Sequence, residues 1–311
     1  MSFYHILPAY LLNRSPAIIV AFDTDFLHRL DAFEAAFRRS GDLHRGGTIL
    51  LQLGWTQELP EVAGPNRALL KTAREKFPAW RIVVLANTAA EVKVFEDITE
   101  CIWVNQNAFL DPARYPLAKK ARAFDAVYVA RITPFKRHEL AVKVKNLLLI
   151  GAHSAREAGY FAETMKLFPE AAYIRKVSSW LIGRRIREAR CGLALSAAEG
   201  SMFVSGEYML CGIPVVNTRN LGGRDVLMPD FAMRYAEDTP ESVAEEVQYW
   251  VENPVEPAAI REAFLKAAAP HKARLQELVN GIAGRRVTLP HKLGVRCPLL
   301  PHRKLLHGIR G

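Results

Sequence analysis

The chain has 311 residues, 50% of them hydrophobic, which is typical of a globular protein long enough for two domains. The one candidate for a long apolar run, at the start, is interrupted by His5, Asn13 and Arg14, which excludes a spanning helix of about 20 apolar residues. The four cysteines form no Cys-x-x-Cys pair, which argues against a zinc site or a disulfide framework and favours a reducing cytoplasm.

Most of the net charge of +10 lies in the last residues, 285–311, which hold seven Lys/Arg and no acid. Two interpretations stay open. The tail is solvated, or it contacts an anionic membrane surface, where each basic residue contributes about 1 kcal/mol. The tail has no aromatic residue for base stacking, which disfavours nucleic acid. We therefore expect a cytoplasmic protein with a possible peripheral contact at the inner face of the membrane.

In the first part of the chain, short β-rich apolar runs alternate with helical patterns. The predicted strands are 17–22, 48–53, 81–86 and 102–104. The predicted helices are 25–39, 66–77 and one that ends near Phe95, with Thr88 as its N-terminal cap. A loop with two prolines follows at 105–116, and it marks a break in the pattern.

After the loop the same alternation restarts. The predicted strands are 126–130, 147–150, 171–174, 192–195, 214–216 and 231–235. The predicted helices are 137–144, one that starts at Ser154, 179–190, 203–211, 240–250 and 257–282. This pattern predicts two Rossmann-like, doubly wound α/β domains facing a cleft, at 1–116 and 117–284, followed by the basic tail 285–311.

Three polar segments stand at predicted strand ends in the second domain. Arg131 and Lys136 follow the first strand, where a fork of donors and a point charge suit a diphosphate. Glu199 ends a later strand, and Glu207 lies on the helix that follows, where a carboxylate can accept bonds from a ribose diol. The third segment has two glycines, Gly222 and Gly223, before another predicted helix.

The order and spacing of these segments resemble the retaining GT-B glycosyltransferases of family 4. Glu199 and Glu207 match the E-x7-E pair of that family, within EGSMFVSGEYMLCGIPVV. VARITPFK resembles its diphosphate-binding Arg and Lys segment, and NLGGRDVLMPDF its glycine pair. The resemblance covers about residues 126–252. Many family members have Gly where this chain has Met202.

The resemblance implies a role for each matching residue. The catalytic residues implied are Glu199, beside the donor sugar, with Arg131 and Lys136 at the diphosphate. The donor-binding residues implied are Glu207 at the ribose, the backbone of Ser201, Met202 and Phe203, Val177 within the nucleobase segment 173–177, and Gly222 and Gly223.

The function implied is transfer of a sugar from a nucleotide-diphosphate-sugar to a hydroxyl acceptor of a glycan, a lipid-linked glycan or a small molecule, with retention of configuration. A nucleotide-sugar epimerase and a non-catalytic nucleotide- or glycan-binding module are the alternatives. Asp23-Thr-Asp25 resembles the metal–diphosphate motif of the GT-A fold, but Thr24 or Asp25 is interpreted as a helix cap. We therefore expect no metal and no cofactor.

Overall fold

The computed structural model describes residues 8–119 and 121–290. The chain divides into two compact units. Unit 1 holds the described residues up to Phe109 and those from Pro270 onward, and unit 2 is Leu110–Ala269. The boundaries predicted from the sequence lie further along the chain, at 116 and 284. Among the described residues, no helix is long and apolar enough to cross a membrane, and the proposed membrane contact of the tail falls mostly on 291–311, outside them.

Unit 1 is built on a five-stranded sheet in the order β1-β2-β3-β4-β5. Its strands are β1 (Ala9–Asn13), β2 (Ile18–Phe22), β3 (Gly47–Gln52), β4 (Trp80–Ala86) and β5 (Glu100–Trp103). Its helices are α1 (Asp23–Phe26), α2 (Leu30–Ser40), α3 (Asp42–Arg45), α4 (Pro60–Lys76) and α5 (Ala89–Phe95). β2 to β5 are parallel, whereas β1 pairs antiparallel with β2 and was not predicted.

Aromatic side chains from the helices form the core of unit 1 against alternate residues of the central strands. The rings of Phe26 and Phe33 lie 4.9 Å apart, and those of Phe37 and Phe77 lie 5.6 Å apart, both edge to face. Burial of each such side chain contributes about 1.5–3 kcal/mol. The predicted cap of α5 is confirmed, because Thr88 Oγ1 accepts a hydrogen bond from the Glu91 amide at 3.1 Å.

Unit 2 is built on a six-stranded sheet in which every strand pair is parallel. Its strands are β6 (Phe124–Val129), β7 (Leu147–Ile150), β8 (Ala172–Ile174), β9 (Ala189–Ala194), β10 (Val215–Thr218) and β11 (Met233–Ala236). Its helices are α6 (Ala158–Lys166), α7 (Ile182–Ile186), α8 (Phe203–Cys211), α9 (Pro240–Glu252) and α10 (Pro257–Ala283), the last of which continues into unit 1. The strand order, β11-β10-β9-β6-β7-β8, is that of doubly wound dinucleotide-binding sheets.

Three predicted helices of unit 2 are wrong in whole or in part. Residues 137–144 form short 3₁₀ turns, because Arg137 adopts a left-handed conformation with φ 52°. The helix predicted at 179–190 is limited to α7, since the chain enters β9 at Ala189. Residues 221–229, which include the two glycines, form turns in place of the predicted helix.

Candidate functional site

The sheet of unit 2 reverses its strand order between β6 and β9. β7 and β8 lie on one side of β6, and β9, β10 and β11 lie on the other. In doubly wound sheets, ligands bind outside the carboxyl ends of the strands at such a reversal. Lys136 lies in the segment that follows β6, and Glu199 lies in the segment that follows β9. The two predicted residues therefore follow neighbouring strands.

Lys136 and Glu199 form a buried ion pair at this reversal. Nζ of Lys136 contacts Oε1 of Glu199, and the two residues are only 8% and 6% exposed. The Ser196 hydroxyl donates a second hydrogen bond to the same carboxylate oxygen, at 2.7 Å. Burial lowers the pKa of Lys136, and the carboxylate of Glu199 opposes that shift. The carboxylate of Glu199 therefore stabilises the charged form of Lys136 at the strand ends, although both side chains are buried.

The backbone around Lys136 is fixed by hydrogen bonds from three directions. The hydroxyl of Tyr128 in β6 donates to the Lys136 carbonyl. The guanidinium of Arg137 donates to the Leu195 carbonyl and to Thr218 Oγ1, both at 2.6 Å. Because these acceptors follow β9 and end β10, Arg137 connects the turn to the neighbouring strand ends. These long-range bonds accompany the left-handed Arg137 that prevents the predicted helix.

Helix α8 begins at Phe203, and Met202 in the cap position is in the left-handed region, with φ 46°. That conformation costs a non-glycine residue about 1–2 kcal/mol. It explains in physical terms why a glycine is suited to this position. The Met202 carbonyl accepts hydrogen bonds from both the amide and the hydroxyl of Ser205, each at 2.9 Å, and these bonds stabilise the strained turn.

Glu207 lies on the second turn of α8 and is only 7% exposed. Its Oε1 accepts a hydrogen bond from the Tyr115 hydroxyl at 2.9 Å. Burial raises the pKa of Tyr115, and the charge of Glu207 raises it further, so the hydroxyl stays a protonated donor. Tyr115 was not predicted as a site residue, because 92 positions separate it from Glu207 and no local pattern connects them.

Arg131 lies at the rim, where its side chain is 59% exposed. Its Nε is 3.7 Å from Oε1 of Glu157. That carboxylate also forms a capping box with Ser154 before α6. The pKa of Glu157 is lowered, first by the bond from Ser154 and more weakly by Arg131. An ion pair this long and this exposed holds the guanidinium only weakly.

The segment with the two glycines lies beside the chain that follows β9. Gly222 has φ 108°, a conformation that glycine adopts without strain. The Gly223 amide donates to the Gly200 carbonyl at 2.6 Å, and the Leu221 carbonyl accepts from the Glu199 amide at 3.0 Å. The segment from Leu221 to Gly223 therefore supports the backbone at Glu199 and Gly200.

Arg224 is a fully buried side chain that the sequence did not single out. Its guanidinium donates to the carbonyls of Ser196 at 2.7 Å and Thr218 at 2.5 Å, and to Asp225 at 2.6 Å. The two carbonyls belong to the ends of β9 and β10, so Arg224 fixes the segment that leads to Glu199. Its position directly after Gly-Gly was the only available signal.

A pocket of ≈ 700 Å³ opens at the ends of β6, β7 and β8 and at the start of α8. Several predicted residues line it: Arg131, Lys136, Val177, Met202, Phe203 and Glu207. The other predicted residues, Glu199, Ser201, Gly222 and Gly223, lie outside this lining, and Glu199 reaches it through Lys136. The predicted diphosphate, nucleobase and ribose segments of unit 2 therefore meet at one pocket.

The lining of the pocket carries more positive than negative charge. Arg175 and Lys176, which lie in the predicted nucleobase segment 173–177, join Arg131 and Lys136, and Glu207 is the acid among the lining residues. A concave surface with an excess of one charge raises the local concentration of ligands of opposite charge. The pocket is therefore suited to an anionic ligand.

The motif Asp23-Thr-Asp25 in unit 1 plays a different part from the predicted cap. No side chain caps α1. Asp23 is buried and accepts a hydrogen bond from the Gly54 amide at 2.9 Å, and burial raises its pKa to about 6. The helix-cap interpretation is wrong, since Thr24 and Asp25 lie inside α1, whose N-terminal cap position is Phe22. Asp23 holds the loop after β3. Within residues 8–119 and 121–290, no three His, Cys, Asp or Glu side chains form a group that could hold a metal ion.

Neither a protein-family model nor a curated protein sequence matches the chain. Solved structures do. HepE from Anabaena in complex with UDP and glucose is 16% identical, with a TM-score of 0.63 over 85% of this chain and 77% of HepE. Sucrose-phosphate synthase from Thermosynechococcus elongatus is 14% identical, with a TM-score of 0.57 over 83% of this chain and 79% of that enzyme.

TarM is a third similar structure, 14% identical with a TM-score of 0.58. The match extends over 85% of this chain and 54% of TarM. These proteins are GT-B glycosyltransferases. Identities this low establish the fold alone. The predicted fold class is confirmed, and the chain has the mixed α/β fold, with parallel sheets, of the GT-B glycosyltransferases.

Proposed function

We propose that the chain is a retaining glycosyltransferase of the family 4 type, which transfers a sugar from a nucleotide-diphosphate-sugar to a hydroxyl acceptor. One observation carries the proposal: the buried Lys136–Glu199 pair and the buried Glu207 converge on one positively charged pocket at the strand reversal. HepE structures contain UDP or UDP-glucose, which supports a nucleotide-sugar as the donor.

The cations of the pocket are proposed to bind the diphosphate. Arg131 at the rim offers a fork of donors, and Lys136 provides a point charge beneath it. The N–H groups at the start of α8, from Ser201 to Phe203, are proposed to add further donors. Negative charge grows on the diphosphate as the donor breaks, so these groups stabilise the transition state more than the bound donor. Lys136, which is already buried and oriented, has the largest part in this effect.

The remaining residues are proposed to bind the rest of the donor. The backbone at Val177 meets the nucleobase, Glu207 accepts the ribose hydroxyls, and Glu199 lies beside the sugar, with Gly222 and Gly223 supporting its backbone. In the reaction the bond from the anomeric carbon to the diphosphate oxygen breaks. The acceptor oxygen bonds to the same face of that carbon, and its proton passes to the departing diphosphate. Retention follows from attack on the face that the leaving group vacates.

The reaction as proposed uses protein cations and helix N–H groups in place of a metal, and no cofactor takes part. The acceptor is proposed to be a hydroxyl of a glycan, a lipid-linked glycan or a small molecule. A cytoplasmic setting, with the basic residues 285–311 at the inner face of a membrane, is proposed on the charge distribution of the sequence.

A screen of UDP-, GDP-, ADP- and TDP-sugars by thermal shift tests donor binding. Binding to the folded state raises its stability by about 2.7 kcal/mol at a hundredfold excess over Kd, so one nucleotide series should raise the unfolding temperature. Glu207→Ala should weaken that binding, and Lys136→Ala should lower turnover. Lys143→Ala is the control, because Lys143 pairs with Glu241 on the surface. The proposal is wrong if both variants retain the parent's donor binding and turnover.

Product analysis with EDTA present separates the proposal from its alternatives. Release of the nucleoside diphosphate together with an acceptor-bound sugar of unchanged anomeric configuration supports a retaining transferase without a metal. A changed sugar produced without any acceptor indicates an epimerase. Donor binding without hydrolysis or transfer indicates a binding module. Loss of transfer in EDTA, restored by a divalent cation, contradicts the metal-free mechanism.

A further inference from the structure

Residues 110–118, the first of unit 2, pack against the helices that form one wall of the pocket. The Ala118 amide donates to the Cys211 carbonyl at the end of α8, at 2.8 Å. Gly183 in α7 allows close approach, since a Cβ there would lie 3.1 Å from the Cα of Tyr115. The guanidinium of Arg261 donates to the Tyr115 carbonyl. The backbone at Tyr115 is therefore fixed from two sides.

This fixed backbone directs the Tyr115 side chain to Glu207. Tyr115 is 1% exposed and Glu207 is 7% exposed, and the hydroxyl donates to Oε1 at 2.9 Å. A hydrogen bond from a hydroxyl to a carboxylate is stronger than one between neutral groups, and the low exposure of both residues strengthens it further. The bond therefore defines the orientation of a carboxylate that lines the pocket.

We propose that Tyr115 is a positioning residue, which orients the Glu207 carboxylate toward the vicinal 2′ and 3′ hydroxyls of the donor ribose. The proposal rests on the donor site proposed above and deepens it. A vicinal diol presents two donors at a fixed separation, so the plane of the carboxylate decides whether both can bind. A fixed hydroxyl on one carboxylate oxygen sets that plane before the nucleotide arrives, which avoids the cost of ordering the side chain on binding.

Tyr115→Phe removes the hydroxyl and retains the ring, so it isolates the positioning effect from packing. Binding is measured by calorimetry with UDP, GDP and ADP and with the 2′,3′-dideoxy form of each. The parent should bind the ribose form of its preferred nucleotide more tightly than the dideoxy form. Tyr115→Phe should weaken binding of the ribose form by about tenfold, the effect expected of one charge-assisted hydrogen bond. Binding of the dideoxy form should be unchanged.

Two further variants complete the experiment. Tyr160→Phe is the matched control, because the Tyr160 hydroxyl also faces a carboxylate, that of Glu139 at 3.4 Å, outside the pocket lining. It should leave both affinities unchanged. Tyr115→Phe combined with Glu207→Gln tests whether Tyr115 acts through Glu207. In that background the loss of the hydroxyl should cause no further loss of ribose-dependent affinity.

The possible outcomes distinguish this proposal from the donor site on which it rests. Equal weakening of ribose and dideoxy forms by Tyr115→Phe makes Tyr115 merely structural and overturns the proposal. If Glu207→Gln removes the ribose preference and Tyr115→Phe leaves it intact, the donor site stands and the proposal fails. A parent that binds none of these nucleotides, or binds without a ribose preference, overturns the donor role of Glu207 and this proposal with it. If Tyr115→Phe misfolds, the decision passes to fluorotyrosine at position 115, which keeps the ring and changes only the donor strength of its hydroxyl. It must then change the affinity for the ribose form selectively, or the proposal fails.

Discussion

Lys136→Met tests whether the two charges at the strand reversal depend on each other. Lys136 is 8% exposed and Glu199 is 6% exposed. Removal of the cation leaves a buried carboxylate with the Ser196 hydroxyl bond. An uncompensated buried charge costs about 3–5 kcal/mol. Each kcal/mol lowers Tm by about 2–4 °C in a protein of this size, so a loss of about 3 kcal/mol should lower Tm by about 6–12 °C.

The double variant Lys136→Met with Glu199→Met removes both charges and keeps apolar volume in their place. Replacement of a whole buried pair by apolar side chains is often neutral, so the double variant should recover most of the lost Tm. Nucleotide binding should not recover, because the cation is absent from both variants. Lys143→Met, at a surface ion pair, is the control and should change neither quantity.

Differential scanning calorimetry and nucleotide titration at neutral pH measure the two effects separately. The reasoning is refuted if the single and double variants unfold at the same temperature, since the cost would then not arise from a lone charge. It is also refuted if Lys136→Met retains the Tm of the parent. Recovery of nucleotide binding in the double variant would show that the charge of Lys136 does not bind the diphosphate.

Three further predictions concern stability. Met202→Gly should change the unfolding free energy by less than about 1 kcal/mol, because relief of the left-handed strain and the flexibility of glycine oppose each other. Met202→Val should lower the unfolding free energy by about 2 kcal/mol, because a β-branched residue is strained in that conformation. Denaturant titration distinguishes the two variants. Arg224→Met should lose about 3 kcal/mol or more, since it removes the guanidinium donor from two carbonyls and leaves Asp225 with only the longer bonds from Asn220 and Tyr235. An unchanged unfolding midpoint would contradict this. Burial raises the pKa of Glu91 from 4.5 to about 7, so the folded state binds the proton more tightly than the unfolded state. The stability that this proton binding contributes is complete below pH 4.5 and is lost as pH rises to about 7. The unfolding free energy of the parent relative to Glu91→Gln should therefore fall by about 3 kcal/mol over that window, and parallel profiles would count against it.

The strands of both sheets were largely readable from the sequence, because a buried parallel strand is a short apolar run. α8 was predicted at its observed bounds, since its residues are apolar and small over a continuous stretch. The edge strand β1 was missed. Its residues are mostly half-buried, so it lacks the continuous apolar pattern of the central strands. The 3₁₀ turns after β6 were missed because the left-handed Arg137 is bonded to strand ends far away in the chain.

The sequence by itself determined which chemistry stands at the strand ends. Arg131, Lys136, Glu199 and Glu207 follow from local pattern and from a family resemblance, and local pattern depends on neighbours along the chain. Only the tertiary structure decided which of these residues meet. Lys136 and Glu199 are 63 positions apart, and Tyr115 lies 92 positions from Glu207. Such pairs depend on strand order and on packing between elements, which no local periodicity encodes.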